Sequence, residues 1–182
     1  LCACFNPTAA HTNNMIDFRS KLETESFSLI QTEEAHFEEL YLVASNPIVW
    51  EQHPERDRWK KKKFSYFFQT ALQNDLGCFT IIDKNLDRLI GSTRFYSHDE
   101  IDGSVRVGYT FLSPEYWGTS ANSQIKKVML DFIFQHIEKV YFDIGENNFR
   151  SRKATEKLGA AQYKKEEDGT VVYVLPKKKY LL

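Results

Sequence analysis

The sequence predicts a mixed α/β (α+β) fold, a sheet of parallel and antiparallel strands with helices on its faces. Two observations carry this. Between Val105 and Ile144 the hydrophobic period changes from two residues to about 3.6 and back again, which reads strand, helix, strand. So tight a succession gives a right-handed parallel crossover. Around that unit, β-rich runs separated by short turn sequences read as antiparallel hairpins.

Residues 1–14 have no periodicity and are expected to form a flexible N-terminal arm, with 15–182 a single domain and Met15 a candidate start. Ser26–Gln31 alternates and opens the sheet. Thr32-Glu33-Glu34 then supplies a cap and an acidic first turn for a helix to Ser45, with Phe37, Leu40, Tyr41 and Ala44 inward. Pro54 permits a second helix from Glu55, with Trp59, Phe64, Phe67, Phe68 and Leu72 on its apolar side. The basic run Lys60–Lys63 reads as a solvated face of that helix. Gly77–Ile82 and Arg88–Tyr96 pair around the turn Asp83–Asp87, and Gly91 marks a bulge or a close backbone approach.

In the central strand Val105, Val107, Tyr109 and Phe111 alternate with Arg106, Gly108, Thr110 and Leu112, until Ser113-Pro114 stops it. From Asn122 onward, Ile125, Val128, Met129, Phe132, Ile133 and Ile137 make the apolar stripe of a buried-face helix. Val140–Ile144 is the parallel strand. Asn148–Leu158 is a short helix closed by Gly159, and 160–165 with 170–175 form a last hairpin.

The 182 residues, 42% hydrophobic and 27% charged, are enough for a core without cross-links. A net charge of −1 gives no global pull toward nucleic acid or a membrane. No apolar run approaches the roughly 18 residues of a spanning helix. Cys2, Cys4 and Cys78 have neither framework nor ligand spacing, and the five histidines are scattered. No metal is expected, and the reducing cytoplasm is the expected compartment.

Chemistry is expected at the turn Trp117-Gly118-Thr119-Ser120-Ala121-Asn122, where the central strand hands over to the helix. Its small residues let a ligand approach the backbone, and the first amides of the helix have no partners within it. With the helix dipole behind them, those amides suit a phosphate. Lys126 and Lys127 stand close to that positive helix end, a placement that a bound anion would favour. The plainer reading is a helix start capped by Thr119, Ser120 or Asn122, with two solvated lysines.

Two segments in this order, IGSTRFY…VRVGYTFLSPEYWGTSANSQIKKVMLDFIF and ENNFRSRKATEKLGA, resemble the GNAT acyltransferase superfamily. The second is similar to the N-x-x-S-x-x-x-x-E-K-x-G signature of its branch of ribosomal-protein N-terminal acetyltransferases, at Asn148, Ser151, Glu156, Lys157 and Gly159. The resemblance spans about residues 26 to 175. It implies a mostly antiparallel sheet splayed at two central parallel strands, with acetyl-CoA in the splay. Phe111 and Leu112 would then meet the pantetheine arm. Trp117, Gly118, Thr119, Ser120, Ala121, Asn122 and Lys126 would surround the diphosphate, and Asn148 and Ser151 the arm and thiol end. Three features depart from the family pattern. The diphosphate loop Q/R-x-x-G-x-G/A holds Trp117, Ser120 and Asn122 at its fixed places. The tyrosine that protonates the departing thiolate is Thr155, and the carboxylate of the central strand is Arg106.

The implied reaction is direct attack of a primary amine on the thioester. It requires an amine stripped of its proton, a dipole on the carbonyl oxygen and a proton for the thiolate. Glu115, with His98 and Glu100, is the candidate base, Ser151 the candidate donor to the thiolate, and Tyr109 a residue shaping the reacting centre. Trp50, His53, Arg94 and Tyr96 are expected in the acceptor wall, where an arginine among aromatics favours an anionic group on the acceptor. The expected partner is a small-molecule or peptide amine, with no nucleic acid or membrane, and the chain a monomer or homodimer. The alternative is a non-catalytic acyl-CoA-binding module. A third reading, an adaptor using Lys60–Lys63 and Lys177–Lys179, predicts salt-dependent nucleic-acid binding.

Overall fold

The computed structural model describes residues 16–181, so the expected arm at 1–14, with Cys2 and Cys4, lies outside the described residues. The chain runs β1 (Leu22–Glu23), β2 (Phe27–Gln31), α1 (Phe37–Ala44), α2 (Lys61–Leu72), β3 (Phe79–Asp83), β4 (Arg88–Asp99) and β5 (Ser104–Leu112). It continues through α3 (Ala121–Ile133), β6 (Lys139–Gly145), α4 (Phe149–Lys157), β7 (Ala161–Lys165), β8 (Thr170–Pro176) and α5 (Lys177–Tyr180). The strands form one sheet in the order β1-β2-β3-β4-β5-β6-β8-β7, antiparallel except for β5 and β6. This is the mixed fold that the pattern of periods predicts.

Some boundaries move for identifiable reasons. The second helix starts at Lys61 instead of Glu55, after a 3₁₀ turn at Arg56–Trp59. Pro54 opens no helix; its ring packs against the end of β6, where a Cβ added to Gly145 would lie 2.7 Å from Pro54 Cγ. The short β1 and α5 carry no periodic signal of their own. In α3 the buried face is Ala121, Ile125, Lys126, Met129, Leu130 and Ile133. The stripe is therefore rotated from the one read in the sequence, leaving Val128 and Phe132 at its margin.

The sheet separates two apolar cores. On one face α3 packs on Leu29, Phe79, Ile81, Phe95, Val105 and Val107, with Val140, Phe142 and Tyr173 completing that core. On the other, α1, α2 and the 3₁₀ turn Pro47–Trp50 between them bring Leu40, Trp50, Phe64, Phe67 and Phe68 against Phe111. Val107 and Phe111 are both odd-numbered, so strict alternation would put them on one face. A register slip against β4 between Ser92 and Arg94 changes this, with Tyr109 at φ +51° in the slipped segment. Such a bulge turns the side chains beyond it to the opposite face and sharpens the local twist.

Beyond it, β5 lies unusually close to β4. A Cβ on Gly91 would stand 2.0 Å from the Phe111 carbonyl oxygen, so the sequence signal at Gly91 is here a close approach of two backbones. Gly91→Ala must push β4 and β5 apart, and the expected cost is about 1–3 kcal/mol. It is measured as a fall in the urea midpoint at unchanged m-value. An unchanged midpoint would mean that the two strands part without cost.

Candidate active site

β5 and β6 pair only at Ser104↔Lys139, Val105↔Val140 and Arg106↔Tyr141. Beyond Arg106, β5 keeps its partner β4, and β6 keeps its partner β8 as far as Gly145. The gap between them opens a cavity of about 720 Å³, lined from both cores: Val49, Trp50 and Phe111 on one side, Val107, Leu112, Phe142 and Ile144 on the other. The cavity thus passes through the sheet at the carboxyl ends of two parallel strands, the usual ligand position in open α/β sheets.

One lip is the start of α3. Thr119 Oγ1 accepts from Ala121 N at 3.2 Å and donates to Tyr116 O at 2.7 Å, so Thr119, one residue before the N-cap Ser120, satisfies the first amide of the helix. Ser120 Oγ instead accepts from Gln124 Nε2. Among the described residues the N–H groups of Asn122 and Ser123 have no acceptor, and both residues line the cavity. Trp117, Gly118 and Thr119 line it too; Ser120 and Ala121 do not. Trp117 Nε1 is tied to Leu112 O at 3.1 Å.

The other lip is α4. Asn148 Oδ1 accepts from Ser151 N at 3.2 Å and caps the helix, and both residues face the cavity. Thr155, in the place of the expected tyrosine, is buried and also lines it. Glu156 of the signature is structural: it accepts from Tyr173 Oη at 2.8 Å, and Tyr173 in turn accepts from Arg152 Nε at 3.0 Å. Gly159 ends the helix at φ +92°. The two lips touch, the Arg150 guanidinium lying 3.6 Å from the centre of the Trp117 ring.

The acceptor side faces α1 and α2. Trp50, His53, Tyr96 and Tyr109 line it together. Tyr96 reaches over Gly108 and donates to Asp143 Oδ2 at 3.0 Å, and Asp143 is also ion-paired with Arg106. Arg106 therefore fills no base role; it holds the carboxylate that β6 supplies. Burial and the facing Asp143 push the Tyr96 hydroxyl above its ordinary range, which keeps it a donor. Arg94 lies outside the cavity, buried with its guanidinium 4.0 Å from the centre of the Tyr109 ring and bonded to Thr70 O at 3.1 Å. It supports Tyr109 from behind instead of meeting a ligand directly.

Several sequence-predicted residues lie elsewhere. Glu115 is on the surface, paired with Arg88 and bonded to Ser113 Oγ at 2.9 Å, and does not line the cavity. His98 and Glu100 belong to the opposite end of β4, His98 packing on Phe18. Lys126 is neither solvated nor at the diphosphate lip. Its side chain runs inward to Thr93 Oγ1 at 3.0 Å and Thr110 Oγ1 at 2.6 Å, and burial lowers its pKa to about 7. The geometry adds Asp143, Arg150, Gly108 and Thr110, which the sequence reading missed. For Asp143 the available signal was an acid at the centre of the strand Val140–Ile144, where β-propensity disfavours one.

A sheet parted beyond a single parallel pair, with a capped helix start at each lip and a cavity through the gap, has the geometry of an acyl-CoA-dependent acyltransferase. Residues 27–161 match the family model of the acetyltransferase (GNAT) domain, and the chain belongs to that family as an acyl-CoA-dependent N-acetyltransferase. Solved structures share the fold. A GCN5-related N-acetyltransferase from Brucella melitensis aligns at TM-score 0.78 and 16% identity, over 90% of this chain and 81% of that one. A GNAT-family acetyltransferase from Bacillus anthracis aligns at 0.72 and 16%, over 87% and 99%. Spermidine N-acetyltransferase from Vibrio cholerae, in complex with CoA and spermine, aligns at 0.67 and 16%, over 87% and 100%. No curated protein matches the sequence at a significant level. No helix among the described residues is long and apolar enough to cross a membrane.

His53 supplies a test of the acceptor wall. Its Nδ1 accepts from Glu55 N at 2.9 Å and its Nε2 lies 3.3 Å from Arg58 Nη1. Burial, and then the Arg58 charge, lower its pKa from 6.5 to about 4. The unfolded chain binds this proton between pH 6.5 and 4 while the folded chain does not. The stability associated with neutral His53 is thus complete above pH 6.5 and is lost as pH falls toward 4. His53→Gln should lose several degrees less in Tm over that interval than the wild type. Equal losses would mean that the imidazole is not desolvated.

Proposed function

We propose that the protein transfers an acetyl group from acetyl-CoA to a primary amine by direct attack, with the donor held in the gap between β5 and β6. The observation that carries this is the end of β5–β6 pairing at Arg106↔Tyr141, which leaves one edge of β5 free for an extended arm. The free amides of Asn122 and Ser123 suit the diphosphate, and Phe111, Leu112, Trp117, Gly118 and Thr119 line its approach. Asn148 and Ser151 stand on the opposite lip.

In this reading the acceptor enters between Trp50, His53, Tyr96 and Tyr109 and gives up its ammonium proton toward Asp143, directly or through water. The nitrogen attacks the carbonyl carbon and the C–S bond breaks; Ser151 donates to the sulfur and takes back the second proton that the nitrogen sheds as the amide forms, so CoA leaves as the thiol. Ser151 Oγ has no hydrogen-bond partner among the described residues, which leaves it available. Asp143 is the one carboxylate among the described lining residues, against Lys126, Arg150, Lys153 and Lys157. A polycation such as the spermine of the Vibrio complex would find few partners here. A peptide N-terminus, in keeping with the resemblance of the Asn148–Gly159 signature to ribosomal-protein N-terminal acetyltransferases, or a small monoamine suits the site better.

Titration calorimetry with acetyl-CoA, followed by thiol release against a library of amines and N-terminal peptides, tests the reading. Absence of both heat and thermal stabilisation with acetyl-CoA would overturn it, and tight binding without turnover on any amine would point to the non-catalytic acyl-CoA-binding alternative. Once an acceptor is found, Ser151→Ala and Asp143→Asn should each lower kcat on the order of 100-fold with little change in acetyl-CoA affinity. Full activity in either variant would exclude that residue from proton transfer.

A further inference from the structure

Lys126 is a buried amine with no carboxylate beside it. It is 7% exposed, lies on the α3 face of the sheet, and lines the cavity beside Val107, Thr110 and Phe142, where β5 and β6 part. From every element packed against it the polar neighbours are uncharged: Thr93 on β4, Thr110 on β5, and Met129 on α3, whose sulfur lies 3.7 Å from Thr93 Oγ1. The Thr93 and Thr110 hydroxyls, 2.8 Å apart, take two of the three N–H groups of an ammonium. The third has no acceptor among the described residues. A buried ammonium is ordinarily paired with an anion, and this amine has none. The other lining cations, Arg150, Lys153 and Lys157, stand on the α4 lip opposite the free amides of Asn122 and Ser123, whereas the Lys126 side chain turns inward from that lip to Thr93 and Thr110.

We propose that Lys126 is the anchor for a carboxylate at the far end of the acyl group, so that the cavity takes CoA thioesters of short dicarboxylic acids as well as acetyl-CoA. This rests on the donor position proposed above. The carboxylate supplies the missing charge and accepts the third N–H, with the Thr93–Thr110 pair fixing the direction of Nζ. The chemistry keeps its balance: the acceptor nitrogen forms the new C–N bond, the C–S bond breaks, and CoA leaves as the thiol with the proton the amine gives up.

The test is calorimetry of the full chain at pH 7, without acceptor, using acetyl-CoA, malonyl-CoA and succinyl-CoA in two buffers of different ionisation enthalpy. Because Lys126 is only partly protonated at that pH, binding of malonyl- or succinyl-CoA should take up a fraction of a proton and binding of acetyl-CoA none. Lys126→Met should abolish the uptake and reduce the affinity for the carboxylate-bearing thioester by about tenfold or more relative to acetyl-CoA. Thr110→Val, which removes a hydroxyl from Nζ and leaves the ammonium, should reduce it by a smaller factor. The same affinity ratio in wild type and Lys126→Met overturns the proposal. So does an acyl adduct on Lys126 in the intact mass, which would make the amine a nucleophile. Failure of every thioester to bind overturns the donor site as well, whereas binding of acetyl-CoA without proton uptake from the others overturns this proposal alone.

Discussion

The structure depends on a bridge of three residues at the point where the sheet comes apart. Tyr96 on β4 crosses β5 above Gly108 and donates to Asp143 on β6, while Arg106, in the last paired position of β5, holds the same carboxylate. A side chain at position 108 would displace the tyrosine, since its Cβ would stand 3.1 Å from Tyr96 Cε1. Below the bridge the two parallel strands are joined by backbone pairing; above it they diverge around a bulged residue. A gap in a sheet leaves backbone groups unpaired, and such groups are costly unless water or a ligand meets them. The bridge fixes where that exposure starts and keeps it at the site.

The lips of the gap are built differently. The α3 lip is held by a threonine cap and by Trp117, anchored to the end of β5. The α4 lip is held from beneath by the chain Arg152, Tyr173 and Glu156, so the helix is fixed to β8 while its first turn stays free to face a ligand. This gives a physical reason for the glutamate of the second motif: it locks the helix whose asparagine and serine line the cavity. Between the lips, the contact of Arg150 with Trp117 occupies the place that the family pattern gives to a polar loop residue.

What was legible in the sequence is what is local. The alternation of Val105–Leu112, the stop at Ser113-Pro114, the helical period of α3 and the Gly159 stop of α4 are each set by neighbours in the chain, and they order the elements correctly. Gly91 announced a close contact without naming its partner. The rest depends on pairings that no window of the sequence contains. Strict alternation put Phe111 on the face of Val107, and only the register slip against β4 moves it across. Lys126 looks solvated because lysines on helices usually are, and two threonines from different strands make it otherwise. Glu115 was chosen for being near the central motif in sequence; an arginine on β4 draws it to the surface. Asp143 and Arg106 were both visible as charged strand residues, but that they face one another follows from the parallel register.

A cavity that runs through a sheet has two mouths. Here one side is lined by residues of the α1–α2 core, Val49, Trp50 and Phe111, and the other lies between the starts of α3 and α4. Donor and acceptor therefore need not take turns at a shared doorway: each can be seated while the other is in place. In the direct attack proposed above, a ternary complex would be the reacting species, with intersecting rather than parallel double-reciprocal lines, and the acyl group would pass from sulfur to nitrogen without being parked on the protein in between.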